Sequence, residues 1–255
     1  MKVSGVIFDK DGTLIDFDKV WVPAAKEVIR RLLCDYKLPC TSRNEEQLLG
    51  AIGIAGNHVD AKGSFAYRTY AEIAADISRA FQSIDEDARI GAIPNEELRN
   101  QLVSYFTEAI LDENRQIEAV ADLEAVMEEL GARGIEIGIA TTDEYHATIR
   151  CLEKLDILKY FTFFAMDDMP VPMPVKPSGR LIRQAADYWE IKPEELLVVG
   201  DSINDMKFAH NGGAKAVGVL SGVSQRDDLL LEADYIIASV AGLPDLICRL
   251  DRESR

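Results

Sequence analysis

The chain of 255 residues has few of the side chains that soft-metal and redox sites require. It contains three histidines and only four cysteines, namely Cys34, Cys40, Cys151 and Cys248. No two cysteines form a C-x-x-C pair, and the histidines are not grouped with them. The sequence therefore predicts neither a zinc site nor a redox site, and it favours free thiols in a reducing compartment.

Cations are also scarce in this sequence. It has 28 lysines and arginines against 44 aspartates and glutamates, which gives a formal net charge of -16. A nucleic-acid backbone or an anionic membrane needs clustered cations, so neither is an expected partner. A phosphate-binding site in this chain must depend on a metal ion, backbone N–H groups and a few well-placed cations.

Long apolar segments are missing as well. No run approaches the length of a membrane span, and the first residues show no apolar leader with a cleavage site. The hydrophobic fraction of 47% is ordinary for a globular protein. We therefore expect a cytoplasmic protein, either a monomer or a homodimer.

Six short apolar runs are present, and their composition predicts strands. They cover residues 3–8, 135–140, 161–165, 196–199, 214–219 and 235–238. From residue 120 onward these runs alternate with helical patterns, for example over residues 121–132 and 179–189. Such alternation predicts an α/β fold: a Rossmann-like parallel sheet covered by helices on both faces, in three α/β/α layers.

Residues 17–114 interrupt this alternation. Apolar residues at helical spacing predict helices over 21–34, 45–53, 69–81 and 96–112, and residues 53–67 are typical of a loop. The sequence thus predicts two domains: a catalytic core of residues 1–16 and 115–255, and an inserted all-helical cap of residues 17–114.

Polar segments follow three of the predicted strands. They are Asp9-Lys10-Asp11-Gly12-Thr13 after the first strand, Thr141-Thr142 after the second and Gly200-Asp201-Ser202-Ile203-Asn204-Asp205 after the fourth. A fourth element, Lys176, precedes Pro177 just before a predicted helix. Open α/β sheets place their sites beyond the carboxyl ends of the strands, so these four elements are expected to meet there.

The residue types suit phosphoryl transfer. One of two acids spaced two residues apart can attack phosphorus and form an aspartyl-phosphate, while the other transfers protons. Clustered carboxylates need a cation among them, and oxygen ligands beside phosphate favour Mg²⁺. Gly12 permits a sharp turn, and Thr141 and Lys176 can contact the phosphoryl oxygens. Strand alternation predicts that the side chain of Lys10 points away from both acids.

Together these elements resemble the four motifs of the haloacid dehalogenase superfamily, and the position of the insert resembles the type C1 cap of its phosphoglycolate phosphatase-like branch. The resemblance implies that Asp9 is the nucleophile and a metal ligand. It implies that Asp11 is the general acid/base, with a main-chain carbonyl on the metal. Asp201 would ligate Mg²⁺, and Asp205 would bind it directly or through water, or would orient Lys176. Thr141 and Lys176 would hold the phosphoryl group.

Four further residues are candidates for substrate binding: Gly12, Thr13, Thr142 and Arg68. The branch often has Asn at the position of Thr142, so an amide donor is replaced by a hydroxyl. Asp11 argues against a dehalogenase, because dehalogenases of the superfamily lack an acid at that position.

We therefore expect a Mg²⁺-dependent phosphomonoester hydrolase acting on a small phosphorylated metabolite, with phosphoglycolate as the first candidate. Two alternatives stay open. One is a phosphomutase of the β-phosphoglucomutase type, and the other is a non-enzymatic protein that keeps the fold and senses a metabolite.

Overall fold

The computed structural model describes residues 1–60, 63–67, 69–84, 93–166 and 176–253. In chain order, the strands are β1 Gly5–Phe8, β2 Ile54–Ala55, β3 His58–Val59, β4 Glu136–Ala140, β5 Phe163–Ala165, β6 Leu196–Gly200, β7 Lys215–Val219 and β8 Tyr235–Ile237. The α-helices are α1 Phe17–Asp35, α2 Ser42–Ala51, α3 Ser64–Tyr67, α4 Tyr70–Ile84, α5 Asn95–Leu111, α6 Leu123–Ala132, α7 Tyr145–Lys154, α8 Arg180–Tyr188, α9 Ile203–Gly212, α10 Arg226–Leu229 and α11 Leu243–Glu253.

Six strands form one parallel sheet in the order β5-β4-β1-β6-β7-β8. All six coincide with the apolar runs, so the strand predictions and the parallel sheet are confirmed. Every residue of β1 and β6 is buried, which explains why these runs are apolar throughout rather than alternating. The predicted α/β fold class is confirmed too.

Helices α8, α9 and α10 cover one face of this sheet. Their apolar residues pack against one face of the strands, for example against Ile7 in β1 and Val198 in β6. Only every second residue of a strand points to this face. Elsewhere in the sheet, α6 packs against β4 and against α11. The loops at the carboxyl ends of the strands contain polar residues.

The chain divides into two compact units, residues 1–17 with 117–255 and residues 18–116. The second unit contains α1 to α5, and the aromatic rings of Trp21, Phe65 and Phe106 pack against one another within it. Cys34 and Cys40, both free and exposed, also lie in this unit with their sulfurs 3.1 Å apart.

The insert differs from the all-helical prediction in one detail. Strands β2 and β3 form an antiparallel ladder within the segment predicted as a loop, with Ile54 opposite Val59 and Ala55 opposite His58. Gly56, at φ +64°, and Asn57 make the two-residue turn between them. A ladder of two residues on each strand is too short to produce a detectable alternation.

No α-helix in the described part of the chain is long and apolar enough to cross a membrane.

Candidate active site

Polar residues follow three neighbouring strands at the same edge of the sheet. β1 lies between β4 and β6, and Asp9, Thr141 and Asp201 are the first residues after these strands. The ladder continues one step further, since the Asp9 N–H donates to the carbonyl of Val199 at 2.8 Å. Parallel pairing therefore brings together residues that lie far apart in the chain.

Lys176 joins two aspartates at this edge. Its Nζ donates to Oδ1 of Asp9 at 2.5 Å and to Oδ1 of Asp205 at 2.6 Å. Carboxylate oxygens of Asp9, Asp201 and Asp205 all lie within 4.8 Å of one another. We call these four residues the Lys176 cluster. Each is almost completely removed from solvent.

Asp205 is fixed through both of its oxygens. Oδ1 accepts from Lys176, while Oδ2 accepts from the backbone N–H of Ser202 at 3.1 Å and from its hydroxyl at 2.5 Å. The Ser202 hydroxyl in turn accepts from the Asp205 N–H, which completes a capping box at the start of α9. The G-D-S-x-x-D segment thus orients the lysine as well as supplying acids.

Asp201 is enclosed by glycines. Its Oδ2 accepts from the Val223 N–H at 2.7 Å. A Cβ at Gly12 would lie 2.4 Å from this oxygen, and a Cβ at Gly222 would lie 1.9 Å from it. Gly12 also has a φ of +78°, which only glycine adopts readily. Any larger residue at either position would displace the carboxylate.

Gly222 and Val223 were not among the predicted site residues. They lie in the loop after β7, and the preceding Ser221 donates its hydroxyl to the carbonyl of Gly12 at 2.8 Å. A Ser-Gly pair directly after an apolar strand was the available signal, because that strand also ends at the edge where the site is formed.

Lys10 contradicts the expectation that its side chain points away from both acids. Its Nζ lies 2.9 Å from Oδ2 of Asp11 and 2.7 Å from Oδ2 of Asp143, and the side chain is fully buried. Strand alternation does not apply here, since β1 ends at Phe8 and the backbone is already turning at Lys10. We call Lys10, Asp11 and Asp143 the Lys10 cluster.

The remaining predicted residues occupy different environments. Thr141 is buried, and its Oγ1 accepts from the Asp143 N–H at 3.2 Å, whereas Thr142 is exposed. Thr13 is fully buried, and its hydroxyl has no hydrogen-bond partner among the described residues. Arg68 lies outside the described residues.

Burial and crowding shift the pKa values of the Lys176 cluster. Burial raises the pKa of Asp9 to about 7; Lys176 opposes this shift, and the charge of Asp205 adds to it. Burial, followed by the charges of Asp9 and Asp205, raises the pKa of Asp201 well above its usual range. Burial alone would lower the pKa of Lys176, but Asp205 and Asp9 raise it above its usual range.

The donor set of the Lys176 cluster suits a hard divalent cation. Three carboxylates and one ammonium leave two negative charges in excess when all four groups are ionised. The available donors are oxygens, which Mg²⁺ prefers to nitrogen or sulfur. A divalent cation would offset the excess charge that otherwise raises the carboxyl pKa values.

The fold and this site define a class: an α/β protein with an insert after its first strand and an acidic cluster at the carboxyl ends of β1 and β6. The family model of haloacid dehalogenase-like hydrolases matches residues 3–213. The chain belongs to that family, and it is a phosphatase.

Individual relatives agree with this assignment. A phosphoglycolate phosphatase of Shigella boydii is 29% identical over 247 residues, which cover 94% of this chain and 91% of the relative. A solved structure of a predicted phosphoglycolate phosphatase from Haemophilus somnus superposes with a TM-score of 0.68 at 19% identity, covering 96% of this chain and 98% of the other. β-Phosphoglucomutase from Clostridium difficile gives 0.59 at 17% identity, with coverages of 94% and 93%. At these identities the two structures show a shared fold.

Proposed function

We propose that this phosphatase is a Mg²⁺-dependent phosphomonoesterase that forms an aspartyl-phosphate on Asp9. The supporting observation is the Lys176 bridge between Asp9 and Asp205, with Asp201 beside them. The residues that we assign as nucleophile, phosphate-binding cation and metal ligands therefore lie close together.

Asp9 and Asp201 are the residues that we assign to the metal, together with the main-chain carbonyl of Asp11. Because both oxygens of Asp205 already accept hydrogen bonds, we assign Asp205 to orienting Lys176 and to contacting the metal through water. Bound Mg²⁺ would neutralise the excess carboxylate charge and polarise the phosphoryl oxygens.

In the first step, a carboxylate oxygen of Asp9 forms a bond to phosphorus while the bond from phosphorus to the ester oxygen breaks. Asp11, entering as the carboxylic acid, gives its proton to the departing oxygen. Lys176 and the Thr141 hydroxyl stabilise the equatorial oxygens, where negative charge is spread during the transfer.

In the second step, Asp11, now a carboxylate, takes a proton from water as the water oxygen attacks phosphorus. The bond between phosphorus and Asp9 breaks, inorganic phosphate leaves, and Asp11 again carries the proton. One residue can serve both steps because the second reverses its proton transfer in the first.

The substrate that we propose is a small phosphorylated metabolite. Phosphoglycolate is the first candidate, because similar proteins are named phosphoglycolate phosphatase. We assign the choice of substrate to residues 17–114, which the sequence predicts to be a cap. Gly12, Thr13, Thr142 and Arg68 remain candidate contacts to the substrate.

A phosphate-release assay over a panel of phosphorylated metabolites, with Mg²⁺ present, tests this proposal. We expect release from phosphoglycolate and trapping of an acid-stable, hydroxylamine-sensitive phosphoenzyme that disappears in Asp9→Asn. Isomerisation of a sugar phosphate in the presence of its bisphosphate, without phosphate release, would instead indicate a phosphomutase. Binding of a metabolite without any turnover would indicate a sensor.

A further inference from the structure

The Lys10 side chain lies entirely inside the protein. Its exposed fraction is 0%, and its ammonium lies within 3 Å of two carboxylates, at 2.9 Å from Asp11 and 2.7 Å from Asp143. An isolated buried ammonium is costly, so a lysine persists in such a position only with close anionic partners. The Lys10 cluster therefore holds both aspartates near a fixed point.

The two aspartates belong to different loops. Asp11 is in the turn after β1 and Asp143 is in the loop after β4, so Lys10 connects the two segments that flank the phosphoryl site. Asp143 is itself anchored, because its N–H donates to Thr141 Oγ1 at 3.2 Å and its Oδ1 accepts from the Glu144 N–H at 2.9 Å. Lys10 is therefore paired with a carboxylate, that of Asp143, whose backbone and side chain are both held in place.

On its other side, Lys10 contacts one particular oxygen of the general acid/base. The ammonium lies against Oδ2 of Asp11. An ammonium in close contact with one oxygen of a carboxyl group stabilises negative charge on that oxygen, so a proton on the group is held by the other oxygen. The contact therefore selects Oδ1 as the oxygen that gives and takes the proton.

We propose that Lys10 is a positioning residue for Asp11: it holds Oδ2 so that Oδ1 is directed at the ester oxygen in the first step and at water in the second. This inference rests on the proposed function, in which Asp11 transfers both protons. Lys10 does not touch the substrate, so its effect must appear as a loss of proton transfer rather than as a loss of phosphate binding.

The charged and titratable groups around Lys10 are the carboxylates of Asp11 and Asp143 and the thiol of Cys151. Methionine fills nearly the same volume without a charge. Removing one partner of a buried ion pair destabilises the fold, but Asp11 keeps 18% of its side chain exposed, so water can solvate one of the two carboxylates that remain. Lys10→Met therefore keeps the packing but frees Asp11 to rotate.

The test compares two esters whose leaving groups differ in their need for a proton. A p-nitrophenolate ion leaves without protonation, whereas the alkoxide of β-glycerophosphate requires it. For Lys10→Met we expect kcat/KM to fall by about 10²-fold with β-glycerophosphate and to stay within about threefold with p-nitrophenyl phosphate.

A second measurement examines the hydrolysis of the phosphoenzyme. With p-nitrophenyl phosphate, Lys10→Met should release about one equivalent of p-nitrophenolate per active site in a burst, followed by slow turnover. The reason is that attack by Asp9 remains fast while activation of water by Asp11 is slow. A purely structural role for Lys10 would lower both esters equally and would give no burst.

Two variants separate the possible outcomes. Asp11→Asn should show the same selective loss and burst, only larger; if it does not, the proposed roles of Asp9 and Asp11 are wrong and not merely the role of Lys10. Lys215→Met removes an exposed lysine that lies 2.8 Å from Asp234, and it should leave both esters unchanged. A selective loss in Asp11→Asn with an equal loss for both esters in Lys10→Met would overturn the positioning role.

Asp143→Asn keeps the test informative if Lys10→Met does not fold. This variant leaves the lysine in place but weakens its anchor, so we expect the same selectivity for β-glycerophosphate at about tenfold. A folded Asp143→Asn protein with unchanged selectivity for the two esters would also contradict the proposal.

Discussion

Two buried lysines lie at the carboxyl-terminal edge of the sheet, and each is placed between two aspartates. Lys176 contacts Asp9 and Asp205, while Lys10 contacts Asp11 and Asp143. The Lys176 cluster includes a third carboxylate, Asp201, within 4.8 Å of the others. With all groups ionised, it would hold two negative charges in excess, and the Lys10 cluster would hold one.

The surroundings of the two clusters differ as well. Asp205 and Asp201 are fully enclosed, whereas Asp11 keeps 18% of its side chain exposed. Negative charge that is buried away from water is stabilised only by a nearby cation, whereas water stabilises a partly exposed carboxylate. This difference supports our proposals that the Lys176 cluster binds the metal and that the Lys10 cluster orients Asp11.

The largest effect is expected from removing the nucleophile of the Lys176 cluster. Asp9→Asn should lower kcat/KM by about 10⁴-fold or more, because an amide cannot form the aspartyl-phosphate. The far-ultraviolet circular dichroism should stay unchanged. Asp187→Asn, an exposed site on α8, serves as the control and should remain fully active. Full activity in Asp9→Asn would refute the mechanism.

The second-largest effect is expected from removing divalent metal. Excess EDTA should lower phosphate release by about 10²-fold or more, and added Mg²⁺ should restore it. Mg²⁺ at a hundred times its Kd should also raise the free energy of unfolding by about 2.7 kcal/mol. Asp201→Asn should lose most of that stabilisation, and Asp143→Asn should keep it. Stabilisation by Mg²⁺ that is equal in both variants would place the metal elsewhere.

The two lysines should also differ in their contribution to stability. Without metal, Lys176→Met leaves three enclosed carboxylates and should lower the free energy of unfolding by about 3 kcal/mol. Lys10→Met leaves two carboxylates, one of which keeps 18% of its side chain exposed, and should lower the free energy of unfolding by less than Lys176→Met does. Urea denaturation of both variants in EDTA measures the difference. Equal costs would show that the clusters do not differ in excess charge as we infer.

The smallest expected effect is a change in how stability depends on pH. The pKa of Asp9 is raised from its ordinary value of 3.8 to about 7, so the folded state holds this proton more tightly than the unfolded state. The corresponding stability is complete below pH 3.8 and is lost as pH rises to about 7. Over that window, the metal-free protein should lose stability relative to Asp9→Asn. Parallel curves for the two proteins would contradict the raised pKa.

Much of the fold could be predicted from the sequence because the strands are short, apolar and buried on both faces. The runs at Gly5–Phe8 and Leu196–Gly200 are apolar nearly throughout, and an aspartate follows each of them. The ladder of β2 and β3 could not be predicted, because two-residue strands carry no periodicity. Arg68 lies outside the described residues, so its predicted contact with the substrate stays a prediction.

Residue type and position at a strand end selected Asp9, Asp11, Thr141, Asp201 and Asp205 as candidates, and Lys176 was selected before a helix. The structure brings Asp9, Lys176, Asp201 and Asp205 together, while the roles of all six residues stay predictions. Gly222 was missed because its close approach to Asp201 is visible only in the fold, and Val223 was missed because it contributes a backbone N–H, which most residue types could supply. The direction of the Lys10 side chain was predicted wrongly, because alternation stops where the strand ends.

The sequence by itself determined the chemical groups of this protein and the strands that carry them, since apolar periodicity and residue type are local properties. The tertiary structure alone decided which charges meet. Parallel pairing of β1 and β6 places Asp9 beside Asp201, and the segment before α8 brings Lys176 into contact with Asp9, from which it is 167 positions away in the chain. The turn after β1 places Lys10 against Asp11 and Asp143 rather than away from the acids. Electrostatic interactions depend on distance and burial, and these are established only when the chain has folded.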